Sequence, residues 1–149
     1  ENPNVKLHMI GKLQTNKVKF AVKLFDYIHS VDNEKLARKI SEEDRKTNKK
    51  TKIFIQVNIG GEDQKSGVSK NEMNKLVSYC TEIKLDVIGL MCIPPLGKDS
   101  TFYFKEIKKL NKDFGFSELS MGMSSDYLKA SEHSATYLRI GSSIFGQRI

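Results

Sequence analysis

The sequence is poor in cysteine, and its cysteines are not spaced for metal or disulfide chemistry. The two cysteines, Cys80 and Cys92, form no Cys-x-x-Cys pair and lie beside no cluster of histidines. Structural zinc sites and small disulfide-bonded domains both need such spacing. We therefore expect no metal site and a protein that works in a reducing compartment.

Long hydrophobic runs are also missing. No apolar stretch approaches the roughly 20 residues that a transmembrane helix needs. The chain opens with Glu1-Asn2-Pro3-Asn4, without an initiator methionine, and no charged and then apolar leader follows. These features predict a cytoplasmic protein with no signal peptide and no membrane partner.

Arginine is rare, although the chain is basic. The formal net charge is +7, from 25 basic and 18 acidic residues, yet arginine occurs only at positions 38, 45, 139 and 148. Proteins that bind nucleic acid usually cluster arginine beside aromatic residues, whereas the lysines here are spread among Glu and Asp. This distribution predicts a solvated surface and no nucleic-acid partner, with at most a general attraction for phosphorylated ligands.

Short apolar runs alternate with longer segments of helical spacing. The runs predicted as strands, the first with its exit loop, are residues 5–13, 27–31, 53–59, 85–91, 117–121 and 137–140. The segments predicted as helices are residues 16–25, 33–41, 69–80, 101–114 and 125–134. This alternation is typical of repeated βα units around a parallel sheet. No Gly-x-Gly-x-x-Gly follows any strand, so a dinucleotide-binding fold lacks its main support.

The length of the chain limits the architecture further. A full (β/α)8 barrel takes about 200 to 250 residues, so six units in 149 residues fit the last six of eight. The pattern alone leaves open a complete open sheet of the flavodoxin type. Several polar residues are predicted to cap helices: Asp32, Ser69 with Glu72 at capping-box spacing, and Ser125 or Asp126. Residues 42–52 are predicted as a charged loop.

Two loops rich in Gly and Ser follow the last two strands. They are MGMSSD at 121–126 and GSS at 141–143, and the loops at these places in (β/α)8 barrels often bind phosphate. Backbone N–H groups, hydroxyls and the start of a helix together make an anion site. Ordinary strand-to-helix turns favour the same residues, so the loops by themselves leave both interpretations open.

Arg139 gives a sharper signal, because it lies within an otherwise apolar strand. Side chains alternate between the faces of a strand, so Arg139 and Gly141 share one face. A buried guanidinium needs an acceptor. The arginine therefore either points at a ligand held by the Gly-Ser loop or pairs with a carboxylate inside the barrel.

Several segments resemble, in the family's order, the signature segments of the pyridoxal phosphate homeostasis proteins. They are HMIGKLQTNK (8–17), IHSVD (28–32), QVNI (56–59) with KSG (65–67), GLMCIPP (89–95), LSMGMS (119–124) and RIGSSIFG (139–146). The resemblance runs from about Leu7 to the end of the chain. It implies a (β/α)8 TIM barrel of the alanine racemase N-terminal type, with about its last six βα units present.

The resemblance also implies a ligand and the residues that bind it. The ligand is pyridoxal 5'-phosphate, and the implied role is to buffer or deliver this cofactor inside the cell. Ser124, Gly141 and Ser142 are implied to hold its phosphate. Arg139 is implied to be the partner of the pyridine nitrogen. His8 is implied to lie at the floor of the site, or else to be a satisfied core histidine.

One functional residue of the family is missing from its expected context. The lysine that forms the Schiff base lies on the first strand in the family, and a Gly-Glu-Asn segment follows the second strand. Neither is present here, so residues 1–149 are expected to form a single partial barrel domain without the first two βα units. Lys65, in a Gly-rich loop, is either a second amine near the mouth of the site or an ion-pair partner of Glu62.

Two enzyme functions compete with cofactor binding. An amino-acid racemase with the same barrel needs a second acid/base group from an additional β domain, and the chain ends at Ile149, just after the last strand. A different phosphate-binding barrel enzyme needs paired carboxylates at strand ends, and Asp32 and Asp126 are better explained as helix caps. We therefore expect a monomeric binding protein without catalytic residues, whose partners are the cofactor and apo forms of pyridoxal-phosphate-dependent enzymes.

Overall fold

The computed structural model describes residues 4–63 and 65–147. Within them, the strands are β1 (His8–Met9), β2 (Tyr27–Val31), β3 (Lys52–Val57), β4 (Val87–Cys92), β5 (Glu118–Met123) and β6 (Tyr137–Arg139). The helices are α1 (Val18–Leu24), α2 (Glu34–Thr47), α3 (Met73–Glu82), α4 (Ser100–Asp113), α5 (Tyr127–Glu132) and α6 (Ser142–Phe145). Short 3-10 turns at Thr15–Lys17 and Lys70–Glu72 precede α1 and α3. The opening Glu1–Pro3, used above to expect no signal peptide, lies outside the described residues.

The strands form one parallel sheet in the order β1-β2-β3-β4-β5-β6. Each strand pairs with the next along the chain, for example Ile28 beside Ile53 and Leu90 beside Leu119. A flavodoxin-type sheet reverses its strand order at a switch point, and this sheet has no reversal. The predicted βα alternation is therefore confirmed, and the flavodoxin alternative is wrong.

The sheet is strongly curled. In a flat sheet of this size, β1 and β6 would lie about 24 Å apart, since neighbouring strands are separated by about 4.8 Å. Instead, the ring centroids of His8 on β1 and Tyr137 on β6 are 5.6 Å apart, as are those of Tyr27 and Tyr137. The side chains of the first and last strands therefore meet on the concave face, as in a barrel with an open side.

The two faces of the curled sheet have different chemistry. The outward residues of β3, Ile53, Ile55 and Val57, are buried in the hydrophobic layer between the sheet and the helices. The buried Phe54 of β3 and Met91 of β4 do not belong to that layer. Because side chains alternate along a strand, these two residues point to the concave side. The helices thus cover one face, and the concave face is left free to build a site.

The start of α2 differs from the prediction. Asn33, not Asp32, is the N-cap, because its side-chain oxygen accepts a hydrogen bond from the N–H of Leu36 at 2.9 Å. Asp32 instead accepts from the N–H of Gly67 at 3.0 Å. Both residue types make good caps, and the choice between them depends on the distant loop that Asp32 binds.

The predicted charged loop at 42–52 is wrong over its first half, because α2 continues to Thr47. Asp44 is buried and accepts from both the N–H and the hydroxyl of Thr51, at 2.9 and 2.6 Å. Glu43 pairs with Lys46 at 2.8 Å on the same helix. Local ion pairs and the anchor from Thr51 to Asp44 therefore carry the helix through a segment whose composition suggests a loop.

The other predicted caps are also used differently. Ser69 donates its hydroxyl to the Glu72 carboxylate at 2.7 Å, so the reciprocal backbone bonds of a capping box do not form. Asp126 occupies the N-cap position of α5, but its carboxylate accepts from the N–H of Met123 at 2.8 Å. Among the helices described, none combines the length and the apolar character needed to cross a membrane.

Candidate functional site

A cleft of about 1020 Å³ opens where the concave face meets the loops that follow β4, β5 and β6. Sites of (β/α)8 barrels lie at this end of the strands. The cleft is lined by His8, Ile10, Gly11, His29 and Ile93 and by residues 123–125, 137–142 and 145–147. Its floor comes from strand side chains and its rim from the Gly-Ser loops, so a ligand would lie between the two.

The floor is centred on the buried Arg139. The guanidinium donates to the hydroxyl of Ser120 on β5 at 2.7 Å and to the carbonyl oxygen of Cys92 on β4 at 2.8 Å. Burial lowers the pKa of this guanidinium from its ordinary value, but an arginine side chain stays protonated in proteins. Among the described residues, no carboxylate lies within ion-pair distance of Arg139. The alternative of an ion pair inside the barrel is therefore wrong for the part of the chain that is described.

A line of polar side chains connects Arg139 to the opposite edge of the sheet. His29 on β2 makes a 2.8 Å hydrogen bond through Nδ1 to the Ser120 hydroxyl. Its Nε2 lies 2.9 Å from Nδ1 of His8 on β1. Four side chains from four strands thus form one continuous hydrogen-bonded series across the concave face.

The histidines of this series are held in the neutral form. Burial, followed by the nearby His8 and Arg139, lowers the pKa of His29 to about 3. Burial also lowers the pKa of His8, and the carboxylate of Asp26 opposes that change. At neutral pH the floor of the cleft therefore carries the single positive charge of Arg139, surrounded by uncharged hydrogen-bonding groups.

Aromatic rings close the bottom of the cleft beneath this series. His8 stacks on Tyr27 with ring centroids 4.1 Å apart, and His29 stacks on Phe54 at 4.3 Å. Tyr137 packs against all of these rings. A hydrogen bond to Tyr27, together with burial, raises the pKa of Tyr137 to about 12. The rings exclude water from below and fix the planes of both imidazoles.

The rim brings two backbone segments to a single hydroxyl. Ser124, after β5, accepts from the N–H groups of Gly141 and Ser143 at 3.3 and 3.2 Å. Gly122, two residues earlier, lets α5 pack closely behind this loop: its φ is +95°, and a Cβ there would lie 2.5 Å from the Cβ of Ala130. Hydroxyls and backbone N–H donors therefore converge on one small region, as an anion site requires.

All five residues predicted for the site line this cleft: His8, Ser124, Arg139, Gly141 and Ser142. Their individual roles in cofactor binding stay predictions. Sequence reasoning missed His29 and Ser120 as members of the same network. A partial signal was available, because each is a polar residue within a short, mostly apolar run, which is the feature that singled out Arg139.

Lys65 lies apart from the network. Its amine pairs with the Glu62 carboxylate at 2.8 Å, and the residue is not among those that line the cleft. The ion-pair alternative is therefore the one observed, and a role as a second amine stays a prediction. No group of His, Cys, Asp or Glu within residues 4–63 and 65–147 is arranged to hold a metal ion. Both cysteines are buried and unpaired, and burial raises the pKa of Cys80 to about 11 and that of Cys92 to about 12.

The fold and cleft define a parallel α/β barrel with its site at the carboxyl ends of the strands. Comparison with known proteins narrows this class. The family described as "Alanine racemase, N-terminal domain" matches residues 2–149. PipY of Synechococcus elongatus, solved with pyridoxal phosphate bound, superposes with a TM-score of 0.90 at 30% identity, over 97% of this chain and 72% of that one.

Relatives of similar sequence narrow the class of protein further. The pyridoxal phosphate homeostasis protein of Aquifex aeolicus is 39% identical over 95% of this chain and 66% of its own length. The protein of the same name from Synechocystis is 36% identical over 98% of this chain and 72% of its own length. The chain thus spans about two thirds of the length of these relatives. It belongs to the alanine racemase N-terminal domain family and, within it, to the pyridoxal phosphate homeostasis proteins.

Proposed function

We propose that the protein binds pyridoxal 5'-phosphate in this cleft and serves intracellular homeostasis of the cofactor by buffering and delivering it. The observation that carries the proposal is the buried Arg139. Its guanidinium donates only to uncharged groups, and among the described residues no carboxylate pairs with it. A buried cation of this kind is costly unless an acceptor satisfies it. A ligand with a ring-nitrogen lone pair and a phosphate dianion supplies both an acceptor and a compensating charge.

The residues present fit the two ends of this cofactor. Arg139, with N–H groups beyond those used by Ser120 and the Cys92 carbonyl, would donate to the pyridine nitrogen at the floor. Ser124, Ser142 and the backbone N–H of Gly141 would donate to the phosphate at the rim. In the described structure, the N–H groups of Gly141 and Ser143 already converge on an oxygen, the Ser124 hydroxyl. His8 would line the floor beside the ring.

The floor is suited to holding the cofactor and poorly suited to driving reactions on it. When bound, pyridoxal phosphate supplies an electron-accepting ring, and that capacity is greatest with a protonated ring nitrogen. Arg139 can donate a hydrogen bond to this nitrogen but cannot protonate it. The pKa of His29, about 3, and that of Tyr137, about 12, lie far from the range useful for proton transfer at neutral pH. We therefore propose that the protein performs no conventional catalysis.

Three further expectations belong to the proposal. The lysine that anchors the cofactor is expected in the two βα units that precede this part of the barrel in the family. Apo forms of pyridoxal-phosphate-dependent enzymes are the expected recipients of the cofactor. The protein is expected to be a cytoplasmic monomer, which light scattering of the purified intact protein would test.

A titration tests the proposed function directly. Intact protein is mixed with increasing pyridoxal phosphate, and the visible absorbance and quenching of tyrosine fluorescence are followed to saturation. We expect a single saturable site whose affinity falls in Arg139→Ala. A linear, unsaturable response from folded protein would reject the proposal. Exchange of the α-hydrogen of amino acids with deuterated solvent, measured by NMR, separates it from the racemase alternative, which requires such exchange.

A further inference from the structure

Only one assignment of donors and acceptors satisfies every hydrogen bond in the series that begins at Arg139. A guanidinium can only donate, so the Ser120 hydroxyl oxygen accepts from it at 2.7 Å. Ser120 is fully buried and its hydroxyl carries one proton. That proton finds an acceptor only if Nδ1 of His29, 2.8 Å away, is unprotonated. Ser120 therefore accepts from Arg139 and donates to His29.

The same reasoning continues to the edge of the sheet. A neutral His29 with an unprotonated Nδ1 carries its proton on Nε2. That Nε2–H then donates to Nδ1 of His8 at 2.9 Å, which places the proton of His8 on its Nε2. Every donor in the series thus points away from Arg139 and toward the half-buried His8. Hydrogen bonds in such a series polarise one another, so the Ser120 oxygen becomes a stronger acceptor for the guanidinium.

This arrangement fixes the guanidinium without neutralising it. A carboxylate at the position of Ser120 would hold Arg139 equally well, but the pair would then carry no net charge. Ser120 and the Cys92 carbonyl are both uncharged and hold two of its N–H groups. Asp126 is the acidic residue that acts on Arg139 electrostatically, and its carboxylate is engaged by the N–H of Met123. Arg139 therefore faces the cleft as a cation that no carboxylate of the described residues pairs with directly.

We propose that Ser120 and His29 are positioning residues, which hold Arg139 as a cation without an ion-pair partner through a hydrogen-bonded series directed from Arg139 to His8. The consequence for the ligand rests on the proposed function, because the group that Arg139 faces is there taken to be the pyridine ring. The series itself does not depend on the ligand. It predicts the tautomers of His8 and His29 and a restricted mobility of the Arg139 guanidinium in the free protein.

The first test uses the intact protein without ligand. The 15N shifts of the histidine rings report which nitrogen carries the proton. We expect His29 as the Nε2–H tautomer throughout the pH range in which the protein is folded, and His8 as the Nε2–H tautomer when neutral. The Arg139 Nη protons are expected to be resolved because two bonds restrict rotation of the guanidinium. Ser120→Ala removes one of these two bonds and should broaden or merge the signals through faster rotation. A proton on Nδ1 of His29, or unchanged Arg139 signals in Ser120→Ala, would overturn the proposal.

The second test compares variants by their affinity for pyridoxal phosphate. Ser120→Ala is expected to weaken binding about tenfold, the effect of losing a hydrogen bond to a charged group. His29→Phe, which removes the acceptor of the Ser120 proton, is expected to weaken binding in the same direction. His29→Phe keeps a ring against Phe54 but can neither accept nor donate. His29→Gln offers an acceptor and a donor, so it should bind more tightly than His29→Phe. Equal loss in the two His29 variants would mean that the imidazole only fills space, and would overturn its positioning role.

Ser30→Ala is the matched control. Ser30 is a buried serine on β2 like Ser120 on β5, but its hydroxyl has no hydrogen-bond partner within the described residues. Its removal should change the affinity by less than about twofold. A loss in Ser30→Ala as large as that in Ser120→Ala would also count against the proposal. If the wild-type protein fails to bind pyridoxal phosphate, the proposed function is wrong, while the NMR measurements still decide whether the series exists.

Discussion

Arg139 on the last strand donates to the hydroxyl of Ser120 on the strand beside it, with 2.7 Å between Nη1 and Oγ. Both side chains are buried. The cation at the floor of the cleft is thus held by an uncharged partner, and no carboxylate within the described residues neutralises it. A ligand that brings an electron pair or negative charge to this position completes the site.

The identity of the group at position 139 should therefore set the protonation of the bound cofactor's ring. In Arg139→Glu, a carboxylate facing the ring nitrogen would stabilise its protonated form. In Arg139→Lys, the positive charge is kept, although one ammonium cannot reproduce the planar, two-sided contact with Ser120 and the Cys92 carbonyl. We expect a larger change in the absorbance spectrum of bound pyridoxal phosphate, and in its pH dependence, for Arg139→Glu than for Arg139→Lys. Spectra of both variants identical to wild type would make Arg139 a purely structural residue.

The rim should contribute binding energy through its hydroxyls. Ser124→Ala and Ser142→Ala are each expected to weaken pyridoxal phosphate binding by about 1.5 to 3 kcal/mol, since each removes a hydrogen bond to a charged acceptor. Ser124→Ala also leaves the N–H groups of Gly141 and Ser143 without the oxygen that they now contact. Isothermal titration calorimetry measures both losses. Ser78→Ala, at an exposed position of α3 away from the cleft, is the control, and affinities equal to it would place the phosphate elsewhere.

The sequence was sufficient for the alternation of strands and helices and for the central cation, whereas the pattern alone left the order of the strands open. Short, mostly apolar runs alternate so regularly with helical segments that a parallel sheet follows, and Arg139 is conspicuous in its strand. His29 and Ser120 were harder to interpret, because a single polar residue in a strand is satisfied by whichever neighbour the fold supplies. The partner of His29 is Ser120, 91 residues away along the chain. No local sequence pattern indicates a contact over that separation.

Helix ends were the least predictable part of the fold. Asp32 and Asn33 are adjacent and chemically similar, and either could cap α2. The deciding contact is the bond from Gly67 to Asp32, which ties the carboxylate to a loop 35 residues away. Likewise, the last turns of α2 depend on the anchor between Asp44 and Thr51. Partners outside the helix thus decided both ends: Gly67, far along the chain, at the start, and Thr51, seven residues after Asp44, at the end.

A pair of substitutions tests the corrected cap. Asn33→Ala removes the acceptor of the Leu36 N–H and should lower the free energy of unfolding by about 1 kcal/mol. Asp32→Ala should leave the start of α2 intact and instead free the loop around Gly67. Urea denaturation measures the first effect, and hydrogen exchange at the Leu36 and Gly67 amides distinguishes the two. Faster exchange of Leu36 in Asp32→Ala than in Asn33→Ala would restore Asp32 as the cap.

The buried, neutral His29 should make the protein lose stability as the pH falls from 7 to 5. Its pKa is about 3 in the folded protein, against about 6.5 in an unfolded chain. Between these values the unfolded chain binds a proton that the folded protein does not, so stability rises with pH throughout this window. For His29 alone, the expected loss from pH 7 to pH 5 is about 2 kcal/mol. The lowered pKa of His8 acts in the same direction.

The variant His29→Phe has no such titrating group. Its free energy of unfolding, measured by urea denaturation at several pH values, should therefore fall by about this amount less than that of wild type between pH 7 and pH 5. Parallel curves for the two proteins would mean that His29 titrates in the folded protein as it does in an unfolded chain. That result would contradict its burial against Ser120, His8 and Phe54.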